Sequence, residues 1–245
     1  MQFSDLVNLG PQPLTGGSWS WSGPNGYTSA SRQINSIPLT LPTNVFVATY
    51  TNPAGVKSTQ AFTINVAPTA ITPYIQVNGG TWLTATSVTA QAADLVNLGP
   101  QPLTGGSWSW TGPNGYTSTA RQINSVPLTS PTNVFVATYT NPAGVKSTQT
   151  FTVNVAPTPI TPYIQENGGI WQATSSVLVF QGMSVNLGPQ PLTGGSWSWT
   201  GPNRFTSTSR EVDNIPLSPG VDTFVVVYTN PVGVKSTATF TILVL

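Results

Sequence analysis

The chain contains no cysteine and no histidine. Without cysteine, no disulfide can staple the fold, and thiol usage says nothing about redox compartment. Without either residue, the usual bases, covalent nucleophiles and transition-metal ligands of enzymes are missing. Charge is equally scarce. Seven Lys or Arg and six Asp or Glu make up 5% of 245 residues, against about a quarter in ordinary globular chains. The net charge of +1 offers no basic patch for nucleic acid or an anionic membrane surface. No apolar run approaches the roughly 18 residues of a membrane span. The start, MQFSDLVN, has neither a charged nor an apolar leader segment, so no signal peptide is expected there.

What the chain does have is repetition. The phrase LVNLGPQPLTGGSWSW begins at Leu6 and at Leu95, and VNLGPQPLTGGSWSW returns at Val185. Asn8, Asn97 and Asn186 mark a common register with a period of 89 residues. That is too long for a solenoid unit and right for a small domain. Three units are expected: residues 1–67, 68–156 and 157–245. The first aligns from Asp5 with Asp94, so nothing in it matches Ile71 to Val88. It should lack its leading hairpin and the strand that follows. A cut at that point is the favoured explanation. A strand supplied from elsewhere is the alternative, because an open sheet edge invites strand addition.

Within the unit starting at Ile71, short apolar alternations sit between turn signals. Ile71 to Val77 reads as a strand, and Asn78-Gly79-Gly80 as a turn. Ser87 to Thr89 and Leu95 to Leu98 follow as short strands. Ser107-Trp108-Ser109-Trp110 has period 2, and Gly112-Pro113-Asn114-Gly115 ends it. Tyr116 to Ile123 should carry another strand or two. Asn133 to Tyr139 is strongly β, and Lys146 to Val155 alternates with Phe151, Val153 and Val155 on one face. About seven strands without helical periodicity predict an all-β fold, tandem antiparallel β-sandwiches joined in a rod by short Pro-rich linkers. The linkers are Ala67-Pro68-Thr69-Ala70 and Ala156-Pro157-Thr158-Pro159.

The segment Trp108, Thr111-Gly112-Pro113-Asn114-Gly115-Tyr116, then Tyr139-Thr140-Asn141 and the Ser147 to Val153 strand, resembles bacterial extracellular Ig-like and PKD-like repeat modules. The phrase returns as WSWTGPNRFTST at Trp197 to Thr208. The resemblance implies an Ig-like fold and a role as spacer, adhesive stalk, or accessory domain beside glycan-degrading enzymes. Modules of that kind often carry a Cys in the final hairpin, where Val56, Val145 and Val234 stand here. It also implies that one Trp of each pair packs in the core against Phe46, Ala48 and Tyr50, Phe135, Ala137 and Tyr139, or Phe224, Val226 and Tyr228.

The paired tryptophans Trp19/Trp21, Trp108/Trp110 and Trp197/Trp199 share a face and are read as core rather than as a sugar platform. Trp82 and Trp171 lie off that pattern, after Gly-rich turns. They either cap the sandwich end or pack against the linker, or contact a glycan or partner. Arg32, Arg121 and Arg210 recur, each expected in a Thr/Ser-rich strand, and could stack on Tyr27 or Tyr116, or pair across domains. Trp82, Trp171, Arg121 and Arg210 are therefore the candidate contact residues. Recurrence adds little for units one and two, which differ at only seven of the 65 positions from Asp5 to Thr69 and from Asp94 to Thr158. Lys57, Lys146 and Lys235 read as solvated tips. Glu211 and Asp213 share a strand face, with Asp222 downstream, too few oxygens for calcium. No duplicated carboxylate pair exists for glycoside hydrolysis. The expected protein is non-catalytic, needs no cofactor and is secreted or on the cell surface. Its partners are neighbouring domains or subunits of a larger assembly, with polysaccharide as the alternative.

Overall fold

The structure is a computed structural model that describes residues Met1–Leu245. The first stretch contains β1 (Leu6–Leu9), β2 (Ser18–Ser22), β3 (Thr28–Ser29), β4 (Ile34–Pro38), β5 (Thr43–Thr51) and β6 (Lys57–Asn65). The second contains β7 (Ile75–Val77), β8 (Ser87–Ala90), β9 (Val96–Leu98), β10 (Ser107–Thr111), β11 (Thr117–Ser118), β12 (Thr132–Thr140) and β13 (Lys146–Val155). The third repeats that set as β14 (Ile164–Glu166), β15 (Ser176–Val179), β16 (Val185–Leu187), β17 (Ser196–Thr200), β18 (Thr206–Ser207), β19 (Gly220–Thr229) and β20 (Lys235–Val244). No helix is long and apolar enough to cross a membrane.

In the second stretch one sheet runs β11-β10-β12-β13-β8. The facing layer is β7-β9, extended by a single bridge from Leu98 to Ile123. The third stretch has the same two layers, β18-β17-β19-β20-β15 and β14-β16. All ladders are antiparallel except that β8 and β15 join β13 and β20 in parallel. Two facing β-layers with the central strands in this order form an immunoglobulin-like sandwich. The protein is thus all-β, a tandem of Ig-like sandwiches. The first sandwich has only β3-β2-β5-β6 facing β1-β4.

Side-chain alternation builds each core. In β12, Phe135, Ala137 and Tyr139 are at most 1% exposed while their neighbours face outward. Trp110 lies directly opposite Ala137, and Trp108 opposite Tyr139. The small alanine leaves room for the Trp110 indole, which packs 5.4 Å from Phe151 and donates its N–H to the Ala120 carbonyl at 2.8 Å. The third sandwich repeats this with Trp199 on Phe240 at 5.4 Å and Nε1 donating to Ser209 at 2.8 Å. In these two sandwiches both tryptophans of each pair belong to the core. Burial also pushes the Tyr139 and Tyr228 phenols above their usual pKa range.

The turns follow their sequences. Asn78 and Gly79 both adopt positive φ, 51° and 70°, the pair needed for a tight hairpin between β7 and Leu83. The Asn97 side chain, a register mark of the repeat, accepts a hydrogen bond from Ser125 N at 2.8 Å, as Asn8 does from Ser36 and Asn186 from Asn214. Tyr116 to Ile123 carries the two-residue β11 and an isolated bridge at Ile123. Two sequence-based expectations need correction. Arg32, Arg121 and Arg210 lie in bends outside the strands. Glu211 and Asp213 lie in no strand and so share no strand face.

Successive sandwiches meet through docked linkers. Val7, Leu39 and Val66 of the first form one buried cluster with Ala143 in the β12–β13 turn of the second. The Ser147 hydroxyl donates to the Thr69 carbonyl at 2.5 Å, and Ser236 does the same to Thr158 at 2.5 Å. The first joint is thus held by apolar packing beside the linker and by a hydrogen bond, and the second by the matching hydrogen bond, which removes the freedom of a plain tether.

Candidate functional site

The tight turn at Asn78-Gly79 brings Leu83 back alongside Ile75, with N–H···O bonds of 2.8 and 2.9 Å in both directions. Trp82 precedes Leu83 and so projects to the opposite side. The tip of its indole lies on Gly99: a Cβ built there would sit 2.9 Å from Trp82 Cη2. Only glycine allows the ring this close. Gly99 is fixed in turn by its N–H, which donates to the Tyr74 carbonyl at 3.0 Å. Trp82 remains 37% exposed.

Arg121 reaches the same place from the segment alongside, where Ile123 is bridged to Leu98. Its Nη1 donates to the Pro100 carbonyl at 2.9 Å, and Nη2 to Gln122 Oε1 at 3.4 Å. Tyr74, Trp82, Gly99, Gln101, Arg121 and Gln122 together line a cleft of ≈ 250 Å³. The third sandwich repeats it as a cleft of ≈ 370 Å³ with Tyr163, Trp171, Gly188, Gln190, Leu192, Arg210 and Glu211. Trp171 rests on Gly188 at 2.8 Å by the same measure and is 36% exposed. Arg210 donates to the Pro189 carbonyl at 3.1 Å and pairs with Glu211 at 2.7 Å. The Glu211 side chain is exposed and that of Arg210 is partly so, and the solvent screening this brings leaves the pair to set orientation more than stability. Gln122 in one cleft and Glu211 in the other make the second-sandwich cleft the more cationic.

The structure thus brings Trp82 together with Arg121, and Trp171 together with Arg210. It also corrects the expected role of the arginines. They do not stack on Tyr27 or Tyr116, which pack edge-on against Phe46 and Phe135 at 5.7 Å. Each arginine instead ties down the Gly-Pro-Gln loop through a proline carbonyl. The bound carbonyl uses one of five guanidinium donors, which leaves others for a ligand. Trp82 and Trp171 sit on glycines of that loop rather than on a linker. Chemically, each cleft offers a half-exposed aromatic face and a fixed cation, beside the Gln101 and Gln122 amides in the second sandwich and the Gln190 amide and Glu211 carboxylate in the third.

Sequence reasoning missed Tyr74 and Tyr163, although each follows a linker proline two residues before the hairpin strand. It also missed the buried Asn133, whose Oδ1 accepts from Thr129 N at 2.9 Å and whose Nδ2 donates to Ser130 at 2.7 Å. Asp222 takes that place in the third sandwich and accepts from Ser218 N at 2.6 Å, a loop-holding role. Lys57, Lys146 and Lys235 are exposed at the starts of their strands.

No family model matches the chain, and no curated protein matches it. Among solved structures it is similar to SGBP-B of the Bacteroides ovatus mixed-linkage glucan utilization locus, solved with a mixed-linkage heptasaccharide. That match has 13% identity and a TM-score of 0.26, and covers 100% of this chain and 64% of that one. It is also similar to BcpA, the major pilin subunit of Bacillus cereus, at 12% identity and a TM-score of 0.26, covering 94% and 93%. The insect immune protein hemolin matches at 10% identity and a TM-score of 0.28, covering 100% and 96%. At TM-scores this far below 0.5, the strand order of the chain itself defines the fold.

Proposed function

We propose that this chain is a non-catalytic extracellular spacer, three Ig-like domains at residues 1–67, 68–156 and 157–245 that hold other parts of a secreted or surface assembly at a set distance. The observation that carries this reading is the accessible surface of 12732 Å². One compact body of 25.7 kDa would expose about 10,400 Å², and three unconnected bodies about 14,000 Å². The chain lies between, as an array with docked joints must. Small-angle scattering tests it. The radius of gyration should clearly exceed the roughly 18 Å of a compact chain of this length. A value near 18 Å, or a broad spread of interdomain distances, would remove the spacer reading.

A second reading rests on the paired clefts. An aromatic face beside an arginine and amides is the chemistry that stacks and hydrogen-bonds a sugar ring. The chain would then serve as a carbohydrate-binding accessory module. The double variant Trp82→Ala, Trp171→Ala should reduce retention on the bound polysaccharide at least tenfold while leaving the melting temperature within a few degrees. Equal retention of wild type and variant on every polymer tried would end that reading.

A further inference from the structure

The two clefts share a frame and differ in charge. In the second sandwich Arg121, Gln122 and Asn124 surround the bridge residue Ile123. In the third, Arg210, Glu211 and Asp213 surround the bridge residue Val212. Two neutral amides are replaced by two carboxylates beside an unchanged arginine. Glu211 Oε2 accepts from Arg210 Nη2 at 2.7 Å, a charge-assisted contact. Gln122 Oε1 accepts from Arg121 Nη2 only at 3.4 Å, while its Nε2 donates to Asn124 Oδ1 at 2.6 Å.

No acid of the second sandwich competes for Arg121. Asp94 is the sole carboxylate between residues 68 and 156. It accepts from Asn78 Nδ2 at 2.7 Å and from Gln91 N at 2.6 Å, at the far end of β7 from Tyr74. A guanidinium stays charged at every physiological pH. The second cleft therefore presents a fixed positive charge that the protein itself does not neutralise. That charge adjoins the aromatic surface. A Cβ built on Gly99 would lie 2.9 Å from Trp82 Cη2 and 3.4 Å from Gln122 Oε1, so indole and amide converge on one backbone position. Arg121 is tied to the next residue of the same loop through the Pro100 carbonyl.

Given the reading of the clefts as sugar sites, we propose that the second-sandwich cleft selects an acidic sugar, a hexuronate residue, and that the third cleft does not. A pyranose ring stacked on an indole presents its substituents at the rim, and in a hexuronate one of these is a carboxylate. Arg121 meets it there with a planar fork of donors. Pro100 and Gln122 take two of its five N–H groups. The others suffice for the paired contacts that a carboxylate accepts. In the third cleft the guanidinium already holds Glu211, and like charge repels a second carboxylate.

Affinity electrophoresis of the full chain tests this on polygalacturonate, alginate and glucuronoxylan, each beside its own carboxyl-reduced form. Reduction keeps the sugar skeleton and removes the charge. At least one acidic polymer should bind about tenfold tighter than its reduced form, the effect of one charge-assisted contact. Trp82→Ala should abolish that preference, whereas general attraction of a polyanion to the exposed lysines would survive it. Gln122→Glu, which copies the third cleft into the second, should also abolish it with an unchanged melting temperature. The reverse double variant, Glu211→Gln with Asp213→Asn, should strengthen binding to the acidic form. Equal or stronger retardation by the reduced forms overturns the charge preference and leaves the sugar reading in place. A preference that survives Trp82→Ala or Gln122→Glu lies elsewhere on the molecule and overturns it too. No retardation by any polymer, acidic or reduced, ends the sugar reading and the charge preference together.

Discussion

Replacing Trp110 by alanine should lower the stability of the second sandwich by about 3–5 kcal/mol. The indole is 1% exposed, fills the space above Ala137 and touches Phe151. Its removal opens a cavity that neighbours locked in ladders cannot close, and it strands the Ala120 carbonyl without its donor. A sandwich of this size, with no disulfide, holds roughly 4–13 kcal/mol in total. The variant should therefore melt its second sandwich well below the others in calorimetry while the third is unchanged. Trp21→Ala should cost clearly less, because Phe62 beneath it is already half-exposed in the smaller first core. A Trp110→Ala loss below about 1 kcal/mol would show that the core does not rest on this stack.

Gly106→Ala should cost about 3 kcal/mol, at the upper end of overpacking penalties. A Cβ there would lie 2.3 Å from the Thr140 carbonyl oxygen and 2.7 Å from the Tyr139 ring. The oxygen belongs to the pairing of Ser107 with Thr140, so it can move only by giving up the end of that ladder. Gly17 and Gly195 face the same carbonyl contact at 2.3 Å, from Thr51 and Thr229. Gly195→Ala should match Gly106→Ala. Gly17→Ala should be milder, since Tyr50 is half-exposed and has room to swing aside. The control is Gly115→Ala, where φ is 75° and nothing lies within 4 Å. It should lose only the roughly 1–2 kcal/mol of a left-handed backbone. Chemical denaturation of the four variants checks the order. Equal losses at Gly106 and Gly115 would assign both to backbone conformation and none to the clash.

Much of this was legible in the residues. The alternation around Trp108 and Trp110, and in Phe135-Ala137-Tyr139, identifies the inward face of each strand because a strand has only two faces. Asn78-Gly79 announces its hairpin because few residues tolerate positive φ. Trp82 and Arg121 stand out singly, one by falling off the pattern and the other by recurring. That they share a cleft was not legible. The partner of Arg121 is a proline carbonyl, and a backbone acceptor has no side-chain signature. The stretch from Tyr116 to Ile123 was legible as β, but its pairing was not: one end adds the short β11 to β10, and the other crosses to a single bridge at Leu98.

By itself the sequence determines the all-β class, the repetition at 89 residues, the inward face of each long strand and the absence of the usual catalytic groups. Those properties depend on local spacing and composition. The tertiary structure alone decides that the two clefts form and that the linkers dock on the next hairpin. Each of these depends on which distant backbone and side-chain groups meet when two sheets close, and no local period encodes that.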